Sequence, residues 1–385
     1  MVFGKIIKNG IVLLSLLSGL SCNTTIGNLR GVSTCSPSIM ASAEFIIPSI
    51  QERQEWATHN GAFDYDTFKS NRQSQWFPRR DRNHNINGNA NKECNVLSMS
   101  GGGSYGAIEV GILKDLVDKG TIQETPHIIT GISAGGLNAG YLSFFRNNIT
   151  EFRAGVERLS KLWDNMKTAD VYERDLLRFF SQWSIYNTQP LRRTLRKYLK
   201  ELSRNTSVVS TNSATSTYIG ATNLNSGHLD IFQFEQLSLD DKLESLIATS
   251  AVPFLFPPVE WEEILYVDGG VIADELIWDV LDEGECSEYN VVVILANEMP
   301  FTTDIPKSVY QYLHRVLSFV LHSFNSQLTD ISRKLQHYKN VNMVICYPDW
   351  SSAKELNKKD YSPWNFDNGN VLRKFGENYY RCDHP

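Results

Sequence analysis

Ser133 stands in the run Gly131-Ile132-Ser133-Ala134-Gly135, with a glycine two residues away on each side. That spacing suits a sharp strand-to-helix turn, because the missing Cβ atoms let the backbone pass close by and leave the serine Oγ exposed. Roughly one βαβ length upstream lies a second glycine loop, Ser100-Gly101-Gly102-Gly103-Ser104-Tyr105-Gly106, whose backbone amides are candidates for an oxyanion hole. Downstream, Ile264-Leu265-Tyr266-Val267 reads as a strand running into Asp268-Gly269-Gly270, which leaves an acid at a strand end. Each loop alone has an ordinary explanation as a turn. Together, a candidate nucleophile, a set of amide donors and an aimed carboxylate describe serine acyl hydrolysis.

The segments around these loops have the periods needed to position them. Cys94 to Met99 reads as a buried strand entering the upstream glycines, and Ser104 to Lys119 carries Ile108, Leu113, Leu116 and Val117 on a helical stripe. Pro126 to Thr130 reads as a second strand, and Ala134 to Phe145 as a small-residue helix able to lie close to a sheet. Strands at Thr217 to Thr222, Ile264 to Val267, Val291 to Leu295 and Val341 to Cys346 alternate with helices. The expected class is therefore α/β, a mostly parallel central sheet with helices on both faces. Two loops at the same end of neighbouring parallel strands would bring the amides and Ser133 together.

Two rival chemistries use the same residues. Gly101, Gly103 and Gly106 match the dinucleotide fingerprint G-x-G-x-x-G, but that fingerprint needs an acidic residue at the end of the second strand, where this chain has Gly131-Ile132-Ser133. A Ser, acid, His triad wants a histidine after the last strand. Here Val341 to Cys346 is followed by Tyr347-Pro348-Asp349-Trp350, with no histidine until His384. His314, His322 and His337 fall earlier, in a helical stretch from Ser308 to Tyr338 where surface or packing roles fit them.

From Cys94 to Ala296 the chain resembles the patatin-like phospholipase family, whose pattern is a glycine-rich oxyanion loop, a G-x-S-x-G elbow, an alanine-rich segment ending in prolines, and D-G-G. All four occur in order, the third as Ile247-Ala248-Thr249-Ser250-Ala251-Val252-Pro253 and on to Pro258. The resemblance implies hydrolysis of fatty acyl esters of phospholipids or related lipids at a membrane or micelle surface, without metal or organic cofactor. It makes Ser133 the nucleophile, Asp268 its partner in a Ser–Asp dyad, Gly101, Gly102 and Gly103 the oxyanion loop, and Gly131 and Gly135 the elbow glycines. A carboxylate with an ordinary pKa of about 4 is a poor base for a hydroxyl, so Asp268 is expected to be buried, with Gly102 and Gly103 as the oxyanion donors. Tyr105 departs from the pattern, standing where the family usually has Arg or Lys. Its phenol would either weaken the preference for anionic head groups or simply pack the first helical turn. A catalytically silent storage or lipid-binding protein with the same fold is the alternative from another class.

At 385 residues, 42% hydrophobic and 21% charged, the chain can bury one principal core and still carry extensions. A net charge of −6 and the lack of a long basic tract argue against nucleic acid as a partner. Residues 1–21 read as a signal peptide, with Lys5 and Lys8 before the apolar run Ile11 to Leu20 and small residues near Cys22. A secreted or lumenal protein follows, with an uncleaved signal anchor as the alternative. Residues 22–91 read as a polar N-terminal extension, 92–348 as the catalytic domain and 349–385 as a tail that Trp350, Trp364, Tyr379 and Tyr380 can dock. The six cysteines contain no C-x-x-C pair, which argues against zinc; proximity favours Cys346 with Cys382 as a disulfide, and buried free thiols are the alternative. Oligomeric state is not encoded in any of these patterns.

Between the elbow and the next strand lies a helical insertion in which Leu191, Leu195, Leu199 and Leu202 share one face. Arg192, Arg193, Arg196, Lys197 and Lys200 occupy the rest. The ordinary reading is a leucine-packed surface helix with a solvated basic side; the other is contact with an anionic lipid surface. Phe254, Leu255 and Phe256 are candidates for the wall of an acyl slot beside Ser133.

Overall fold

A computed structural model describes residues 92–174, 184–205, 215–273, 275–277, 281, 286–296, 312, 341–355 and 362–383. The signal-peptide and extension readings, and His314, His322, His337 and His384, lie outside the described residues.

The strands of the main sheet are β1 (Glu93–Met99), β2 (Ile128–Ile132), β3 (Ser216–Asn223), β4 (His228–Gln233), β5 (Val259–Trp261), β6 (Ile264–Asp268), β7 (Glu288–Ile294), β8 (Val341–Pro348) and β9 (Tyr380–Asp383), and two-residue strands at Glu173–Arg174 and Tyr186–Asn187 pair separately. The main sheet has the order β9-β8-β7-β1-β2-β3-β6-β5, with β4 also on β3. The middle five, β8-β7-β1-β2-β3, run parallel, and β9, β4, β6 and β5 add antiparallel. Successive residues of the parallel strands bury on opposite faces, as strand geometry requires. Val96, Ile128, Val293 and Ile345 join one core cluster, while their neighbours Leu97, Ile129, Ile294 and Cys346 join the other.

The core that takes Leu97, Ile129, Ile294 and Cys346 is covered by α1 (Gly106–Asp118), α2 (Ala134–Leu142), α3 (Ile149–Asn165), α5 (Leu239–Thr249) and α6 (Gly369–Asn378). Between them in the chain comes α4 (Gln189–Asn205), the insertion helix. The core on the opposite face, with Val96, Ile128, Val293 and Ile345, includes Leu276, Ile277 and Leu281. Among the described residues no helix is long and apolar enough to cross a membrane.

Register on β3 decides where the site forms. β2 pairs with β3 from Ser216 to Gly220, and β6 pairs antiparallel from Ala221 to Asn223. β4 spans Tyr218 to Asn223 and so takes the other edge, which leaves β2 and β6 on one edge, end to end. The last residue of β2, Ile132, lies opposite Gly220, and the last residue of β6, Asp268, lies opposite the next residue, Ala221. The residue after Ile132 is Ser133.

The C-terminal segment is part of this architecture. β9 pairs with β8, where Cys346 and Cys382 are register partners joined by a disulfide; a second bridge joins Cys94 to Cys286 across a separation of 192 residues. α6 lies against α1 so closely that a Cβ at Gly376 would sit 2.2 Å from the Ile108 carbonyl oxygen. Gly376→Ala should therefore destabilise the fold by about 1–3 kcal/mol, since backbone must move to admit the methyl group. Denaturant midpoints check this, and an unchanged midpoint would mean that the two helices do not cross so closely.

Candidate active site

Ser133 sits at the turn from β2 into α2 with φ 54° and ψ −124°, a backbone conformation that costs an L-residue about 1–3 kcal/mol. Its amide donates to Thr249 Oγ1 at 2.9 Å, and that hydroxyl in turn donates to the Gly220 carbonyl at 2.6 Å. The flanking glycines are needed for space. A Cβ at Gly131 would lie 2.3 Å from the Gly135 carbonyl oxygen, and one at Gly135 would lie 2.4 Å from those of Met99 and Ser100. The turn is held from α5 and β3, while its own sequence stays small enough to allow it.

Asp268 is brought to the same point by the end-to-end approach of β6. Ser133 Oγ donates to Asp268 Oδ2 at 2.7 Å, and the Gly270 amide donates to Oδ1 at 2.8 Å. The strand end is fixed on both sides, by Asp268 N–H to the Ala251 carbonyl and by Thr222 Oγ1 to the Asp268 carbonyl, each at 2.9 Å. Both side chains are buried. Burial pushes the Asp268 carboxyl from its ordinary 3.8 up to about 7, against the hydrogen bonds from Ser133 and Gly270, which favour the ionised form.

The upstream glycine loop lies beside them. Its Ser104 amide is taken by the Pro363 carbonyl at 2.7 Å and its Tyr105 amide by Gly102 at 3.1 Å. The amides of Gly102 and Gly103 have no acceptor among the described residues. Gly101 accepts at its carbonyl from Ser100 Oγ at 3.4 Å. Gly103 has φ +58° and its Cα faces the Pro363 carbonyl, so only glycine fits there. The root of the loop is tied to the elbow helix through a buried carboxyl: Glu109 Oε1 accepts from the Ser100 amide at 2.7 Å and Oε2 accepts from Asn138 Nδ2 at 3.1 Å. Asn138 Oδ1 accepts from Trp163 Nε1 at 2.8 Å, and the Gly135 amide donates to the Ser100 carbonyl at 3.0 Å.

Sequence reasoning missed Thr249, Glu109, Asn138 and the clamp on Ser104, whose amide donates to the Pro363 carbonyl and whose Oγ donates to that of Ser362 at 3.1 Å. Glu109 had a legible signal, an acid among the apolar residues of α1; the others depend on distant segments meeting. Tyr105 is fully buried, edge-on to Trp350 with ring centroids 5.6 Å apart, so the departure from the expected cation is taken up by packing.

Ser133 and Gly103 open on a cavity of about 880 Å³, its open mouth included. The walls are apolar: Leu137 and Tyr141 from α2, Trp163 from α3, Leu195 and Leu199 from α4, Leu246 from α5, and Phe256, Trp364 and Phe366. Of the three residues expected to wall a slot, Phe256 does so. Leu255 is buried in an adjoining cluster, and Phe254 is 62% exposed. Among the described residues no group of three or more His, Cys, Asp or Glu side chains is placed to hold a metal. A buried hydroxyl on a carboxylate, unpaired amides and an apolar cleft are suited to attack on the ester of a long-chain acid.

Residues 97–281 match the Patatin-like phospholipase family. That stretch runs from β1 beyond Asp268 and contains Ser133, Asp268 and the whole glycine loop, and over it the resemblance to this family of lipid hydrolases holds. An uncharacterized protein of Acanthamoeba polyphaga mimivirus is 25% identical over 185 residues, which is 45% of this chain and 57% of the relative. The match thus spans little more than half of that relative's length. Among solved structures, VipD from Legionella pneumophila is similar with 14% identity and a TM-score of 0.32, covering 77% of this chain and 68% of that one.

The raised Asp268 pKa makes the site a cost to folding above acid pH. Below 3.8 the carboxyl is neutral in both folded and unfolded chains; as pH rises toward 7 the unfolded chain loses the proton first, so stability falls across that window. Asp268→Asn keeps the shape without the charge. It should be more stable than wild type at pH 8 by a few kcal/mol, on the order of 3 to 4, with the gap closing near pH 4. Urea unfolding at the two pH values checks this; a variant less stable than wild type at pH 8 would contradict it.

Proposed function

We propose that the protein is a patatin-like lipid acyl hydrolase in which Ser133 is the nucleophile and Asp268 its base. The observation that carries this reading is the 2.7 Å hydrogen bond to a buried carboxylate from the Oγ of Ser133, a residue that lines an apolar cavity. A carboxyl pKa near 7 answers the difficulty that an ordinary aspartate is too weak a base.

In the first step Oγ attacks the ester carbonyl carbon as Asp268 Oδ2 takes the hydroxyl proton. The carbonyl oxygen becomes an oxyanion, which the Gly102 and Gly103 amides stabilise; such donors are typically worth about 10² to 10³ in rate each. Collapse breaks the bond to the leaving alcohol, and the proton on Asp268 passes to that oxygen. Water then attacks the acyl-serine, its proton going to Asp268, and the second collapse returns the proton to Oγ and releases the fatty acid. The acyl chain lies in the cavity between α2, α4 and α5. Two cystine bridges support the secretory route expected from residues 1–21.

Ser133→Ala should remain folded and lose hydrolysis of a p-nitrophenyl acyl ester, and Asp268→Asn should lower kcat by about 10³ or more. Single alanine variants at His314, His322, His337 and His384 should stay within several-fold of wild type. A folded histidine variant with a defect as large as that of Asp268→Asn would replace the dyad by a triad. A wild-type protein that binds lipid yet turns over no ester would favour the storage or lipid-binding alternative.

A further inference from the structure

α4 has two faces with different work. Leu191, Leu195, Leu199 and Leu202 line the cavity on one side. On the other, Arg193, Arg196, Lys197, Lys200 and Arg204 recur at the three- and four-residue spacing of a single helical stripe, nearly opposite the leucines, and all are exposed. The helix is seated from its inner side by Arg192, which forks onto Glu244 of α5, and by Thr194 Oγ1, which donates to the Asp170 carbonyl at 3.0 Å. None of the five outer cations forms an ion pair with the described residues, although the chain as a whole carries a charge of −6. Glu201 is the one exposed acid on the helix. Elsewhere Lys119 pairs with Asp115 and Lys161 with Glu157, and exposed lysines without an ion pair among the described residues, such as Lys167 and Lys374, stand singly rather than in a row. A row of cations kept free of carboxylates is complementary to a surface that brings its own negative charge.

We propose that the outer face of α4 docks the protein on an anionic lipid bilayer. The stripe meets headgroup phosphates while the leucine face, one helix diameter or about 10 Å away, walls the cavity. The choice of lipid over another polyanion rests on reading that cavity as an acyl site; a stripe one helix long, whose one neighbouring aromatic residue, Tyr198, lines the cavity instead, is poorly suited to a nucleic acid strand. Docking through this helix would also tie substrate supply to surface charge, since each cation near an anionic leaflet adds attraction that salt screens.

The test is co-sedimentation of the full chain carrying Ser133→Ala, which prevents turnover, with phosphatidylcholine vesicles containing or lacking phosphatidylserine. Arg196→Gln, Lys197→Gln and Lys200→Gln together keep good helix-forming residues and should lower binding to the anionic vesicles about fivefold for each cation removed, roughly a hundredfold in all. Lys119→Gln, Lys161→Gln and Lys374→Gln, which remove equal charge from the C-terminal cap of α1, from α3 and from α6, should change it far less. Binding should fall with added salt, and melting temperatures establish that both triple variants are folded. Equal losses in the two variants, or unchanged binding in the first, would overturn the proposal. So would a first variant that binds vesicles normally but loses a dimer seen by light scattering, which would assign the face to a second copy of the chain. Hydrolysis of a soluble ester by the wild type is measured separately, so that failure of docking and failure of the acyl hydrolase reading are told apart.

Discussion

β2 and β6 share one edge of β3 and stop head to head, and the rest of the site depends on that junction. β2 points its C-terminal end at Ser133 and β6 points its own at Asp268, so a parallel strand and an antiparallel one deliver hydroxyl and carboxylate to a single spot. The junction leaves almost no room. A Cβ at Gly269 would lie 2.6 Å from the Gly220 carbonyl oxygen and 3.0 Å from Ile132 Cγ2. Thr249 and Thr222 then lock the two strand ends by hydrogen bonds to backbone, one holding the strained Ser133 and the other the Asp268 carbonyl.

Holding the pair this tightly is unfavourable in two ways, through the backbone strain at Ser133 and the desolvation of Asp268. Both are offset by structure built outward from the junction. The sheet is buried on both faces, and the Glu109–Ser100–Asn138 network ties the glycine loop to α2. The C-terminal segment contributes β9, α6 and the Pro363 clamp on Ser104. Trp364 and Phe366 from the same segment complete the cavity wall, so residues read from the sequence as a docked tail also line the site.

Local periodicity and glycine spacing made much of this legible. The elbow, the glycine loop and Asp268-Gly269-Gly270 stand out because each needs glycine for a reason confined to a few neighbouring residues, and the buried parallel strands stand out as apolar runs. The five central strands fall within a few residues of where the apolar runs place them. What stayed hidden depends on register and on long-range meetings. No period tells that β6 extends the line of β2 on β3, that Cys94 reaches Cys286, or that the carbonyl of Pro363 occupies the Ser104 amide. Tyr105 shows the same limit, since a motif departure is visible in sequence while the Trp350 that receives it is not. In α4 the leucine stripe was plain, but the same stripe serves a packed core or a ligand cavity, and only the facing residues of α2 and α5 distinguish them.

The measurement that bears most directly on the Ser133–Asp268 pairing is the pH dependence of covalent labelling by a fluorophosphonate, with the modified residue located by peptide mass spectrometry. Labelling needs the serine hydroxyl to lose its proton to a neighbour as fluoride leaves, so its rate reports the ionised fraction of the base. With Asp268 titrating near 7, the adduct should form on Ser133 at a rate that rises through neutral pH to a plateau, and Asp268→Asn should flatten and depress that profile. A folded protein that labels at another residue, or labels Ser133 at a rate independent of pH from about 5 to about 9, would contradict the account.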